Sequence, residues 1–280
     1  MRRFVSITNA ALIALALVFG VARAEAQQAR QALAADSVIE QIKNRGSIRV
    51  GLSVFVPWAM PDKNGKLVGF EVDVINKLAA DMGVKAEPIL TSWDGIIPAL
   101  IAGKIDVIIG GLGITPKRNL TINYSAPYEE GEIIVVVNKK TAPNIKTLDD
   151  LNQPGIVIAN RRGATTETIT KAVFPKATQI LFDDENSSLQ EVLNGKAVAV
   201  LAQTPTPSLW VDKYPDILGT PISQPLSIEP AGFGLRKGDP DAINYFNDWI
   251  IVHTADGWLQ ERFNYWFKSR DWKDQVPVTN

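Results

Sequence analysis

From Ser47 onward the chain alternates short apolar runs with stretches of helical periodicity, and it does so twice. The first series comprises Ile48 to Gly51, Phe70 to Met82, Ile96 to Ala102 and Ile105 to Gly110. The second starts near Thr147 and holds the apolar runs Ile156 to Ala159, Gln179 to Phe182 and Ala197 to Ala202, with helix-like stretches between them. Such alternation covers strands with helices and predicts two α/β units with parallel-rich sheets. Within the first, Phe70, Val74, Leu78 and Met82 recur every four residues while Asp73, Lys77 and Asp81 fall on another face, which predicts an amphipathic helix. Pro98 is tolerable in a first helical turn, where N–H groups lack intrahelical partners, and Gly103 is a natural stop. Ser187 to Gln190 has capping-box spacing and predicts a helix start.

The two series join through Val135 to Lys140. The chain is expected to return near Ile228 to Gly234, before a helical C-terminal region carrying Trp249, Trp258, Phe263, Trp266 and Phe267. Two crossings between two lobes make a hinge. A chain of 280 residues with 46% hydrophobic content has core enough for both lobes. Its 29 Lys and Arg against 30 Asp and Glu provide no concentrated positive surface, so nucleic acid is not an expected partner. With no cysteine there is no disulfide scaffold, thiolate nucleophile or iron–sulfur centre, and with His253 alone no histidine-rich zinc site; no cofactor or metal is expected.

The N-terminus carries Arg2 and Arg3, an apolar stretch from about Ala10 to Val21, and small-residue sites around Ala22 to Ala26. This predicts a secretory signal peptide over 1–26, since the apolar run is shorter than the roughly 18 to 20 residues that span a bilayer. An Ala/Gln-rich leader is expected over 27–46. Export without cysteine points to a periplasmic location.

The chemistry concentrates in Ile105 to Arg118, where an apolar strand runs into Gly110, Gly111 and Gly113 and then Thr115-Pro116, a good N-cap and first-turn pair. Arg118 falls in that first turn. A guanidinium fork beside a helix N-terminus suits a carboxylate; the other reading is a surface arginine paired with Glu129 or Glu130.

Several motifs in series resemble the periplasmic polar amino acid-binding proteins of ABC transporters. They include Gly69 to Val74, Trp93 to Leu100, Gly103 to Asp106, Ile114 to Arg118, Tyr124 to Tyr128, Gly195-Lys196, Gly234 to Gly238 and Asp256-Gly257. The resemblance implies the type II two-lobe periplasmic-binding-protein fold, each lobe a mixed sheet flanked by helices, joined by two hinge strands. Lobe 1 is expected over 47–138 and 230–280, and lobe 2 over 139–229. It further implies a monomer that closes over one ligand and presents it to an ABC permease in the inner membrane. Carried over residue by residue, Arg118 matches the arginine that grips a ligand carboxylate, and Phe55 the aromatic that packs on the ligand. Gly111 and Gly113 match the backbone contacts, Thr165 the second-lobe threonine at a helix start, and Trp93 an aromatic bordering the cleft. Gln203 stands where the family usually has an aspartate for the ligand ammonium, and Leu52 or Ser53 at another position that is often aspartate.

Asn160-Arg161-Arg162-Gly163 places two arginines at a second-lobe strand-to-helix turn, with Arg161 matching the position that reads the ligand side chain. Added cations and a missing anion tilt the expected ligand toward an acidic amino acid or other small carboxylate. The alternative is that one or both arginines face solvent. Thr91 to Trp93, Gln153 to Gly155 and Gly163 to Glu167 are also similar to the cyclohexadienyl (arogenate/prephenate) dehydratases, enzymes on the same fold. Their catalytic glutamate falls at Thr206, which cannot serve as a general acid; Glu167 is the nearest other acid. Binding without catalysis is therefore the expected function, a sensory ectodomain a further alternative, and His253 a structural residue.

Overall fold

The computed structural model describes residues 37–276. The signal peptide expected over 1–26 and the leader up to residue 36 lie outside them. The rest of the expected leader is ordered. Helix α1 (Val38–Arg45) starts at the N-cap Ser37 and stops at Gly46 in the left-handed region. Val38 and Ile42 are buried, and Asp239 accepts hydrogen bonds from the Ser37 hydroxyl and the Val38 N–H. The apolar i, i+4 pair and the cap outweigh the polar composition of this segment.

The first lobe continues with β1 (Ser47–Leu52), the short hairpin β2 (Met60–Pro61) and β3 (Leu67–Val68), α2 (Phe70–Asp81), β4 (Lys85–Leu90), α3 (Ile96–Ile101), β5 (Val107–Ile108) and α4 (Pro116–Asn119). β1 pairs in parallel with both β4 and β5. It is buried at five of its six positions because both faces are covered. α2 buries Phe70, Val74, Ile75 and Leu78 on one stripe, as its periodicity predicts.

β6 (Asn123–Asn138) is sixteen residues long and carries the chain across. The second lobe follows as α5 (Leu148–Leu151), β7 (Val157–Arg161), α6 (Thr165–Val173), β8 (Thr178–Phe182), α7 (Glu185–Leu193), β9 (Ala199–Gln203), α8 (Thr206–Lys213) and β10 (Leu218–Gly219). β7 lies parallel between β8 and β9. α7 begins two residues before the expected Ser187–Gln190 box. Asp184 is its N-cap and accepts from the Ser187 N–H at 2.8 Å.

β11 (Ser227–Leu235) returns antiparallel to β6, and α9 (Pro240–Ala255) and α10 (Trp258–Phe263) close the first lobe. All strands except β2 and β3 form one nine-stranded mixed sheet, ordered β4-β1-β5-β11-β6-β9-β7-β8 with β10 on β6. This is the expected two-lobe arrangement, with β6 and β11 as the hinge strands. The crossing in β6 lies earlier than residue 138, however. Tyr128 packs in the first-lobe core, whereas Ile133, Val135 and Val137 belong to the second-lobe core.

Indole N–H donors pin the C-terminal aromatics to α2: Trp249 to Asp81 at 2.9 Å and Trp266 to Asp73 at 2.7 Å. His253 bonds Asp81 and Asp256 in the same layer, a packing role. No described helix is long and apolar enough to cross a membrane.

Candidate functional site

The hinge strands form the floor of a cleft. In β6, Gly131 and Ile133 point to one face; Glu229 of β11 lies opposite Gly131, and Gln203 of β9 opposite Ile133. Directly paired residues share a face, so Gln203 and Glu229 look into the same space from either side of β6. Gly131 leaves room between them, since a Cβ there would overlap the Gln203 amide.

That space is a cavity of about 30 Å³ between the lobes. All eight residues singled out by sequence line it: Phe55, Trp93, Gly111, Gly113, Arg118, Arg161, Thr165 and Gln203. The lobes touch across it. Arg118 is held by the Thr115 cap, whose hydroxyl accepts the Arg118 N–H at 3.1 Å. Its Nη1 donates to the Gly113 carbonyl and its Nη2 to the Gly163 carbonyl of the opposite lobe, both at 2.9 Å. The pairing with Glu129 or Glu130 that a surface arginine would make is absent among the described residues. Glu129 is instead buried against Trp58.

The adjacent arginines separate. Arg162 is exposed and pairs with Asp183 at 3.3 Å. Arg161, one residue earlier on β7 and therefore on the other face, is buried, with its guanidinium 4.9 Å from the Phe55 ring centre and 4.5 Å from that of Trp93. Glu185, in the first turn of α7, lies 3.4 Å from Arg161 Nε. The geometry of this ion pair makes no hydrogen bond, so Arg161 Nε and Nη1 remain buried donors without an acceptor. Burial lowers the Arg161 pKa, opposed by the Glu185 charge, and burial likewise raises that of Glu185.

Thr165, in the first turn of α6, donates its hydroxyl to Glu229 Oε2 at 2.7 Å, a contact between lobe 2 and the hinge. Burial raises the Glu229 pKa, with the Thr165 hydrogen bond and the Arg118 charge opposing it. Glu185 and Glu229 are the site's acids, and the sequence reading missed both. The run Asp183-Asp184-Glu185 at the end of the strand paired with Arg161's strand was a usable signal. Nothing local marked Glu229, whose direction is set by its register with β6.

Other expected candidates lie elsewhere. Glu167 accepts from the Gly163 N–H and Lys171, outside the cavity. Thr206 donates to the Val56 carbonyl at 3.0 Å, and Ser53 to the Thr91 carbonyl at 3.0 Å.

Behind the cleft wall is a second buried cluster. Trp58 stacks on Phe55 at 4.2 Å and donates to Glu129 at 2.8 Å. Tyr128 donates to Glu71 at 2.6 Å and accepts the Gly111 N–H at 3.2 Å. Gly111 holds a φ of 66°, which a side chain rarely adopts, and this turns its N–H toward that tyrosine. Burial pushes Glu129 up to about 8, and burial together with the Glu129 charge pushes Glu71 well up.

Three comparisons place this geometry. The chain is 30% identical to the L-cystine-binding protein TcyJ of Escherichia coli K12 over 91% of its own length and 93% of that protein. It is 24% identical to the cyclohexadienyl dehydratase of Pseudomonas aeruginosa, over 85% and 88%. A binding component of an ABC transporter from Wolinella succinogenes, solved in complex with lysine, superposes with a TM-score of 0.76 at 35% identity, covering 82% of this chain and 99% of that one. Residues 48–269 match the family as a whole, and the chain belongs to the bacterial extracellular solute-binding proteins, family 3.

Proposed function

We propose that this protein is a periplasmic solute-binding protein that captures an amino acid or related small carboxylate, with an acidic ligand favoured, and delivers it to an ABC importer. The observation that carries this reading is the pairing of two arginines in one cavity between the lobes, Arg118 bridging to the Gly163 carbonyl and Arg161 against two aromatic rings with buried donors unused. Buried N–H groups without acceptors are costly, and a ligand carboxylate or amide oxygen satisfies them. The Arg161 guanidinium also fills the gap between Phe55 and Trp93, where a cationic ligand side chain would be repelled.

Capture requires motion. About 30 Å³ accommodates a water or two and not an amino acid, so the lobes part at β6 and β11, breaking the Arg118–Gly163 bond, and close again on ligand contacts to both sides. The closed form, as a monomer, presents the surface that a permease reads.

A dehydratase reading draws on the Pseudomonas relative and on Glu229, whose raised pKa suits a proton donor. Against it, Thr206 is tied to the Val56 carbonyl. A thermal-shift screen of ligand-stripped protein against acidic, neutral and basic amino acids, dicarboxylates, keto acids and prephenate separates the readings. A ligand at about 1,000 times its Kd adds roughly 4 kcal/mol of stability. The expected result is a shift with an acidic amino acid recovered unchanged; a best response from arginine or lysine refutes the acidic preference, and conversion of prephenate refutes the binding-only reading.

A further inference from the structure

The charged side chains lining the cavity are two cations and two anions: Arg118, Arg161, Glu185 and Glu229. Arg161 and Glu185 neutralise one another at 3.4 Å. The other two do not pair. Among the described residues no carboxylate lies within ion-pair distance of Arg118, and no lysine, arginine or histidine nitrogen lies within that distance of Glu229. Both nevertheless flank one point. A Cβ on Gly113 would stand 3.1 Å from Glu229 Oε2 and 3.7 Å from Arg118 Nη1. The cavity therefore holds an unpaired positive and an unpaired negative group on neighbouring walls, the pattern complementary to a zwitterion.

We propose that Glu229 is the residue that binds the ligand α-ammonium, so that this site requires an α-amino acid and rejects the same acid without its amino group. The hinge geometry gives the physical basis. Gln203 has a neutral amide on the β9 side of the floor, and Glu229 faces the same space from the β11 side, two strands away across Gly131. The negative charge has moved across the floor, not left it. Thr165 occupies one Glu229 oxygen and orients the carboxylate into the cleft, leaving its remaining acceptor capacity for an ammonium. Because Thr165 belongs to lobe 2 and Glu229 to the hinge, an ammonium held there engages a group already linked to the closing lobe.

The inference rests on the amino acid-binding reading, and the test separates the two. Calorimetric titration compares L-glutamate with glutarate, which differs only in lacking the α-ammonium; where another amino acid is stronger in the screen, that amino acid and its deamino counterpart are the pair. The wild type is expected to prefer the amino acid by roughly tenfold or more, as loss of a charge-assisted bond implies. Glu229→Gln should bring the ratio close to one while still binding the deamino acid, and Glu229→Asp should restore part of the preference. An unchanged ratio in Glu229→Gln overturns the proposal. Equal binding of the two acids by the wild type overturns it without any variant, as does failure of every proteinogenic amino acid to bind. If a basic or neutral amino acid binds best, the acidic preference fails while the amino-to-deamino ratio still judges Glu229. If only ammonium-free carboxylates bind, Glu229 fails and carboxylate capture stands.

Discussion

Replacing Glu185 with Gln keeps the shape of the side chain and removes the charge facing Arg161. The two partners are buried, with side-chain exposures of 7% for Arg161 and 11% for Glu185. Stranding one member of a buried ion pair typically costs about 3–5 kcal/mol. The Phe55 and Trp93 rings lie within 5 Å of the guanidinium and, as cation–π partners, offset about 1–2 kcal/mol of that. The expected net loss is therefore about 1–4 kcal/mol. For a protein of this size that lowers Tm by about 2–15 °C. The assay is thermal unfolding followed by circular dichroism, with and without a dicarboxylic amino acid. Adding the ligand should narrow the gap between variant and wild type, because the ligand side-chain carboxylate supplies the charge that Glu185 no longer does. An unchanged Tm in the absence of ligand refutes the buried-pair argument. A gap of the same size with and without ligand refutes the placement of Arg161 against the ligand.

Arg118→Ala is expected to abolish binding of every ligand in the screen, measured by titration; normal binding would show that the carboxylate is held elsewhere. Arg161→Ala should open the space between Phe55 and Trp93 and shift preference from acidic toward neutral or basic side chains, read as a changed rank order and not as a uniform loss. The Glu71–Glu129 cluster sets a pH dependence of stability. Between the ordinary carboxylate value and about 8, the native state retains a proton at Glu129 that the unfolded chain has released. Stability should thus fall as pH rises through that window, by up to about 1.4 kcal/mol per pH unit from this one group. Glu129→Gln should flatten the slope of denaturant stability between pH 5 and 8, and an identical slope in the variant would remove Glu129 from the account.

Much of this architecture was legible in the residue pattern. The four-residue repeat of Phe70, Val74 and Leu78 specifies the α2 stripe whatever surrounds it, and Thr115-Pro116 sets the cap that points Arg118 at the cleft, because both depend on neighbours in sequence. The start of α7 was less legible, since Asp184 and Ser187 are both competent caps and the chain uses the earlier one. The order of α1 was hidden for a different reason: its polar composition reads as a leader until Asp239, some two hundred residues away, is seen to bind Ser37 and Val38.

The sequence by itself determined two α/β series, their helix stripes and caps, and the residue types available for gripping a carboxylate, because local spacing and chemistry suffice for these. Only the tertiary structure decided which of two adjacent arginines faces the cleft. Strand alternation sends neighbours to opposite sides, and the helices packed on β7 choose the side. It also decided that Glu229 stands opposite Gly131 and Glu185 against Arg161, since register between strands distant in sequence, and not any property of the acidic residues themselves, brings those charges together.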